Sequence, residues 1–200
     1  MNQKIRVFTS SAVNYVPKVR LLCRSIKHYH PEWKVHWAVA DRLPASLNID
    51  SDLIDKTIPV ESLGIPDQEG WIFRHTLVEL STGIKPFVLR HLLDDPETTA
   101  VLYFDPDMVL FSRLDDLVAE FDRHSILLTP HQTKPETNLE AVVDNEICSL
   151  RHGIFNLGFL GIRNDENGRA FTEWWADRVY HFCQESLEQH LFTHQKWVNF

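Results

Sequence analysis

Asp105-Pro106-Asp107 is the segment of this chain best suited to chemistry. It follows Val101-Leu102-Tyr103-Phe104, the strongest strand-like run in the sequence, and precedes Met108-Val109-Leu110-Phe111. Two carboxylates one residue apart at the end of a buried strand can reach a single hard divalent cation, and their oxygens suit Mg²⁺ or Mn²⁺. Without a cation, two like charges held so close disfavour each other's ionisation. Mg²⁺ usually takes one or two carboxylates and completes its shell with water and phosphate, so the pair fits a diphosphate ligand. A second polar cluster, Thr9-Ser10-Ser11 with Asn14 and Tyr15, closes the first strand-like run. In open α/β sheets ligands bind beyond the carboxyl ends of the strands, where both clusters fall.

The elements that must position these residues can be read in order. Residues 4–9 form a first buried strand ended by Ser10 and Ser11. Pro17 suits the first turn of a helix, and Val16, Val19, Leu22, Cys23, Ile26 and Tyr29 then recur at helical spacing. Val35, Trp37 and Val39 predict a second strand ending at Asp41, with a weaker third over Ile54–Val60. Thr76 to Leu93 reads as a helix in two pieces broken at Gly83 and Pro86. After the Asp-x-Asp strand come a short helix from Leu114 to Phe121, a strand over Ile126–Thr129, and a loop rich in Pro, Thr and Asn. A strand over Ile154–Ile162 and a helix around Phe171, Trp174, Trp175, Val179 and Phe182 complete the order. Strands alternating with helices predict a single α/β domain, Rossmann-like, with a mostly parallel (mixed) sheet and helices on both faces.

Composition removes several function classes. The chain has 200 residues, with 20 Lys and Arg against 28 Asp and Glu, for a formal net charge of −8. A nucleic-acid binder needs a basic face to displace counterions, so no nucleic-acid partner is expected. None of the 7 glycines forms a G-x-G-x-x-G or P-loop run. The three cysteines, Cys23, Cys148 and Cys183, form no C-x-x-C and suit free, packed thiols in a reducing compartment. With no leader-like or membrane-spanning apolar run, the expected location is cytoplasmic or peripheral to the inner membrane face. His190 and His194 are four apart, but Leu191 stands where a zinc metalloprotease helix carries glutamate. Trp174 and Trp175 share core spacing with Phe171 and Phe182, which favours packing over sugar stacking.

The segment Tyr103-Phe104-Asp105-Pro106-Asp107-Met108-Val109 resembles the D-x-D motif of nucleotide-sugar-dependent glycosyltransferases of the A-type fold, most closely family 8. The resemblance extends over nearly the whole chain. Val7 to Ser11 and on through Tyr15 is similar to the strand and loop that hold the nucleoside, which implies donor contacts from Thr9, Ser10 and Tyr15. Glu79 to Phe87 resembles the helix before the motif, whose basic residue faces the donor, here Lys85. Phe155-Asn156-Leu157-Gly158 is similar to the segment whose asparagine contacts the donor sugar. Thr193-His194-Gln195 aligns with a segment that usually reads Asp-Gln near the anomeric carbon. The resemblance implies metal-dependent transfer of a hexose from a nucleotide-diphosphate sugar, a UDP-sugar, to an acceptor hydroxyl with retention. Asp105 and Asp107 would hold Mn²⁺ or Mg²⁺, Lys85 would add charge to the phosphates, and Asn156, His194 and Gln195 would orient the sugar. Glutamine is a poor nucleophile, which favours a front-face reaction over a covalent intermediate. His131, after Thr129-Pro130, is a candidate for the acceptor pocket.

Two departures stand out. His194 replaces the usual aspartate, and the C-terminal histidine that commonly completes the family's metal site has no counterpart, so residues 1–200 are expected to be a catalytic core short of its C-terminal segment. These departures motivate one alternative, a nucleotide-sugar-binding remnant without transfer activity. Another is a haloacid-dehalogenase-type phosphatase, which also places Asp-x-Asp after a buried strand. That family carries the pair near its N-terminus, whereas here the pair follows three strand candidates.

Overall fold

Alternation at a period of two puts successive strand side chains on opposite faces, and in this chain both faces are apolar. In β1 (Ile5–Ser11), Val7 faces one core and Phe8 the other. In β2 (Lys34–Val39), after helix α1 (Val16–Tyr29), Trp37 and Val39 face the first core and Ala38 the second. A sheet that is apolar on both sides must be covered on both sides, and helices provide the cover. The computed structural model describes residues 4–47, 49, 53–186, 191–192 and 194–200.

The remaining elements are β3 (Lys56–Pro59), α2 (Gln68–Phe73), α3 (Leu77–Gly83), α4 (Lys85–Leu93), β4 (Ala100–Phe104), α5 (Asp115–Ala119) and β5 (Ile126–Pro130). There follow α6 (Leu139–Ala141), a π-helical turn (Val142–Ile147), α7 (Cys148–His152), β6 (Phe155–Arg163) and α8 (Glu166–Phe182). Two-residue strands at Glu185–Ser186 and Leu191–Phe192 pair with each other, and a 3₁₀ turn covers Lys196–Asn199. The six-stranded sheet has the order β3-β2-β1-β4-β6-β5. The β3, β2, β1 and β4 strands are parallel; β6 runs antiparallel to both β4 and β5.

Helix α1 packs Val19, Leu22, Cys23 and Ile26 on the face carrying Val7, Val35, Leu102 and Phe104. On the other face α4 and α8 bring Phe87, Val88, Trp175 and Val179 against Phe8, Val101, Tyr103 and Leu160. Each large side chain removed from water here contributes about 2–3 kcal/mol. The break between α3 and α4 falls where Gly83 and Pro86 predict it. A capping box between Thr76 and Glu79 starts α3, and Pro86 sits in the first turn of α4, where its missing N–H costs nothing.

The structure corrects the sequence reading at four places. β1 does not end at Ser10; it continues through Ser11, whose Oγ accepts a hydrogen bond from Trp37 Nε1 at 2.9 Å. α2 was not expected from the sequence and is fixed by Trp71, fully buried, whose Nε1 donates to the Tyr180 carbonyl at 3.1 Å. The expected loop after β5 contains the helical segment 139–152. Of the three free thiols Cys23 and Cys183 are buried, while Cys148 is exposed. Trp175 is core as expected, and His190 lies outside the described residues. No helix among the described residues is long and apolar enough to cross a membrane.

Candidate functional site

β1 leads on to β2 on one side and pairs with β4 on the other, so the connections leave the sheet in opposite directions from this point. Such a switch point opens a crevice at the carboxyl ends of the two strands. Here it is a cleft of about 220 Å³, lined among others by Ser10, Asn14, Tyr15, Ser81, Asp105 and Asp107.

Asp105 is held from below and from the side. Its backbone N–H donates to the Gly158 carbonyl at 2.8 Å, continuing the β4–β6 ladder one residue past the strand, and its carbonyl accepts from Met108 N–H at 3.1 Å to close the turn. Oδ1 accepts from Tyr103 Oη at 2.5 Å and from Lys85 Nζ at 3.3 Å. Tyr103 and Asp105 are two apart and lie on one face of the strand, which is how the phenol reaches the carboxylate. Ser10 Oγ donates to the Ser81 carbonyl at 2.7 Å and lies 3.3 Å from Tyr103 Oη, joining β1 to α3 and β4. A β-carbon at Gly158 would lie 3.1 Å from Asp105 Oδ2 and 2.9 Å from Asn156 Oδ1, so glycine leaves that side of the carboxylate open.

Lys85 is 3% exposed and its hydrogen bonding is complete. An ammonium has three donors. They meet Asp105 Oδ1, the Leu157 carbonyl at 3.1 Å and His194 Nε2 at 3.2 Å, with Nζ also 4.2 Å from the centre of the Tyr103 ring. An ammonium can only donate, so with Lys85 protonated it is His194 Nε2 that accepts. Burial lowers the Lys85 pKa, and the Asp105 charge opposes that shift. Burial also holds the His194 pKa well below the ordinary histidine value, with the Lys85 charge acting in the same direction. The Tyr103 phenol is pushed well above its usual pKa, first by burial and then by the Asp105 charge. Breaking any of the three Lys85 bonds would cost about 1.5–3 kcal/mol, as for other hydrogen bonds to charged groups.

Of the other expected residues, Asp107 and Tyr15 line this cleft, Gln195 lines a second one, and Thr9 and Asn156 line neither. Asp107 sits at the rim, its Oδ2 3.7 Å from Lys18 Nζ. Tyr15 lines the cleft with Lys18 Nζ 4.8 Å from its ring centre. Asn156 is exposed and uses Oδ1 to accept from Gly158 N–H at 2.8 Å. Thr9 faces the α1 side of the sheet, opposite to Ser10; it is buried, and its Oγ1 has no hydrogen-bond partner. Its side chain is not part of the cleft wall. Gln195 lines the second cleft, about 470 Å³, with His131, Glu136, Asp144, Cys148 and His152. Gln195 Nε2 is 3.1 Å from His131 Nε2 and 3.5 Å from the His152 carbonyl. Gly153, at φ 126°, takes a conformation that side chains disfavour, and a β-carbon there would lie 3.2 Å from Gln195 Cγ.

Sequence reasoning missed Tyr103 and Lys18 as members of the site. Both carried a signal: Tyr103 is one strand repeat before Asp105, and Lys18 is one helical turn after Tyr15. Among the described residues no group of three or more His, Cys, Asp or Glu side chains could hold a metal ion.

No family model matches the chain. It is 23% identical over 120 residues to the uncharacterized protein YfnF of Bacillus subtilis (strain 168), a match covering 58% of this chain and 38% of YfnF. Among solved structures it is similar to galactosyltransferase LgtC in complex with donor and acceptor sugar analogues, with a TM-score of 0.54 and 18% identity over 93% of this chain and 68% of LgtC. It is also similar to the glycosyltransferase GlyE of Streptococcus pneumoniae TIGR4, with a TM-score of 0.53 and 14% identity over 99% of this chain and 42% of GlyE. Mouse xyloside xylosyltransferase 1 gives a TM-score of 0.50 and 13% identity, covering 96% and 81%. The chain thus spans less than half the length of YfnF and of GlyE. With one six-stranded mixed sheet covered by helices on both faces and these structural neighbours, the chain has the glycosyltransferase A-type fold.

Proposed function

We propose that the chain is the catalytic core of a family 8-like glycosyltransferase, transferring a hexose from a UDP-sugar to an acceptor hydroxyl with retention. The observation that carries this reading is the switch-point cleft, in which Ser10 and Tyr15 from the β1 end share one wall system with Asp105 and Asp107 from the β4 end. That combination offers a nucleoside an aromatic side chain and backbone groups, and offers a cation–diphosphate pair two carboxylates.

The carboxylates fit a divalent cation. Asp105 Oδ1 is occupied by two donors while Oδ2 faces the open side kept by Gly158, and Asp107 is exposed at the rim. Mn²⁺ or Mg²⁺ held there supplies neutralisation of the diphosphate charge. The chain's own residues do the rest. Tyr103 and Lys85 fix the orientation of Asp105, and His194 fixes Lys85. Asn156 is exposed and commits Oδ1 to Gly158 N–H, which leaves its amide N–H groups as donors for a sugar hydroxyl. Gln195 and His131 belong to the second cleft, which we assign to the acceptor; its lining of amide, imidazole, hydroxyl and carboxylate groups matches the hydrogen-bonding demand of a polyhydroxylated ligand.

Calorimetry with UDP in the presence and absence of Mn²⁺ tests the donor. Metal-dependent binding weakened at least about tenfold by Asp107→Asn is expected, since carboxylate ligands dominate such sites. Metal-independent UDP binding, or none, refutes the reading. Release of UDP from a panel of UDP-sugars separates a transferase from a binding remnant, and turnover of p-nitrophenyl phosphate would point to a phosphatase instead.

A further inference from the structure

A diphosphate needs a cationic partner beside its metal, and two lysines stand near the Asp-x-Asp pair. Lys85 is the poorer candidate. Its three N–H bonds already meet Asp105, the Leu157 carbonyl and His194, and it is almost fully enclosed, so it can turn to a ligand only by abandoning a buried acceptor.

Lys18 has the opposite properties. It lies on α1 one turn after Tyr15, and its side chain is 52% exposed. Its Nζ is 3.7 Å from Asp107 Oδ2, an ion pair beyond hydrogen-bond distance, and 4.8 Å from the Tyr15 ring centre. Both of those residues line the switch-point cleft. An exposed pair of this kind is weak and screened by solvent, so exchanging its anion costs little. The aromatic face beside it keeps the ammonium near the rim when the carboxylate is released.

We infer that Lys18 is the residue that binds the anionic diphosphate of a nucleotide in this cleft, trading Asp107 for a phosphate oxygen. The inference rests on the nucleotide-donor reading above. The exchange balances charge, because it frees the Asp107 carboxylate for the cation as the ammonium takes up the phosphate.

The test is calorimetry of the full chain with UDP and Mn²⁺ over a range of salt concentrations. Lys18→Gln is expected to weaken UDP binding about tenfold, the scale of one charge-assisted hydrogen bond, and to flatten its salt dependence; Lys18→Arg is expected to restore both. Mn²⁺ binding without nucleotide should be unchanged or tighter in Lys18→Gln, because Lys18 no longer competes for Asp107. If the parent chain binds UDP with Mn²⁺ and Lys18→Gln binds it equally well, the inference is overturned and the donor reading stands. Weaker Mn²⁺ binding in Lys18→Gln also overturns it, since Lys18 would then be shaping the carboxylate site. If the parent chain binds no UDP, the donor reading falls and this inference with it.

Discussion

The two clefts are built in different ways. The switch-point cleft is lined by strand ends from the middle of the sheet, and behind its wall Ser10, Lys85, Tyr103 and His194 are all buried and hydrogen-bonded to one another or to main-chain carbonyls. The second cleft is walled by the helical excursion between β5 and β6. That excursion leaves Leu139 78% exposed and Leu150 66% exposed, with Val143 and Ile147 on the same stripe also in solvent. One region is preorganised by the core; the other is a surface layer with little beneath it. Under the proposed function this separates what is common to every donor, a diphosphate and its cation, from what varies among acceptors.

The contrast can be broken by mutation. The largest effect is expected under the first cleft: Trp175→Ala should cost about 4 kcal/mol in urea unfolding, as for other large core truncations. Trp175 is fully buried and its Nε1 donates to the His194 carbonyl, so a loss below a quarter of that would show that the C-terminal segment is not anchored through this helix. The same half of the molecule carries a pH sensitivity. His36 is buried with no hydrogen bond at either ring nitrogen, and burial, with help from the Arg6 charge, lowers its pKa to about 4. Between that value and the ordinary histidine value the unfolded chain binds the extra proton, so stability falls as pH drops through this window, by up to about 3 kcal/mol. Unfolding midpoints measured across the window should flatten in His36→Leu; equal slopes in the two proteins would reject the assignment.

Smaller effects sharpen the comparison. Asp105→Ala is expected to weaken Mn²⁺-dependent UDP binding about a hundredfold, and Tyr103→Phe about tenfold, the range seen when a ligand or its orienting partner is removed. Tyr103→Phe removes one hydroxyl, so its stability loss in the same urea assay should stay near 1 kcal/mol. If Tyr103→Phe leaves Mn²⁺ affinity unchanged, the phenol is not orienting the carboxylate. The smallest change is expected in the excursion, where Leu139→Asn and Leu150→Asn should alter stability by no more than about 0.5 kcal/mol. A large loss at either position would mean that the layer is packed and that the contrast between the clefts is false.

The order of strands and helices was legible because each long element carries a clear period, as in Val19, Leu22, Cys23 and Ile26 of α1. The direction of β6 was not, since Phe155 to Arg163 alternates identically whichever way it runs and only its partners decide. The excursion had a signal, Leu139, Val143, Ile147 and Leu150 at helical spacing, masked by the Pro, Thr and Asn that precede it. Asp105 and Asp107 were visible from their spacing. The enclosure of Lys85 was not, because its three acceptors come from residues 105, 157 and 194, which local pattern cannot relate.

The pairing of Pro130 with Phe155 across β5 and β6 has one more consequence. The chain leaves the sheet and returns to it at two neighbouring points, so everything between them is a cassette whose ends are already stapled together. Its length can change without altering the distance that it must close. A lineage, or a protein engineer, could exchange residues 131–154 wholesale and retune what the second cleft accepts, while the ladder that carries Asp105 keeps its register.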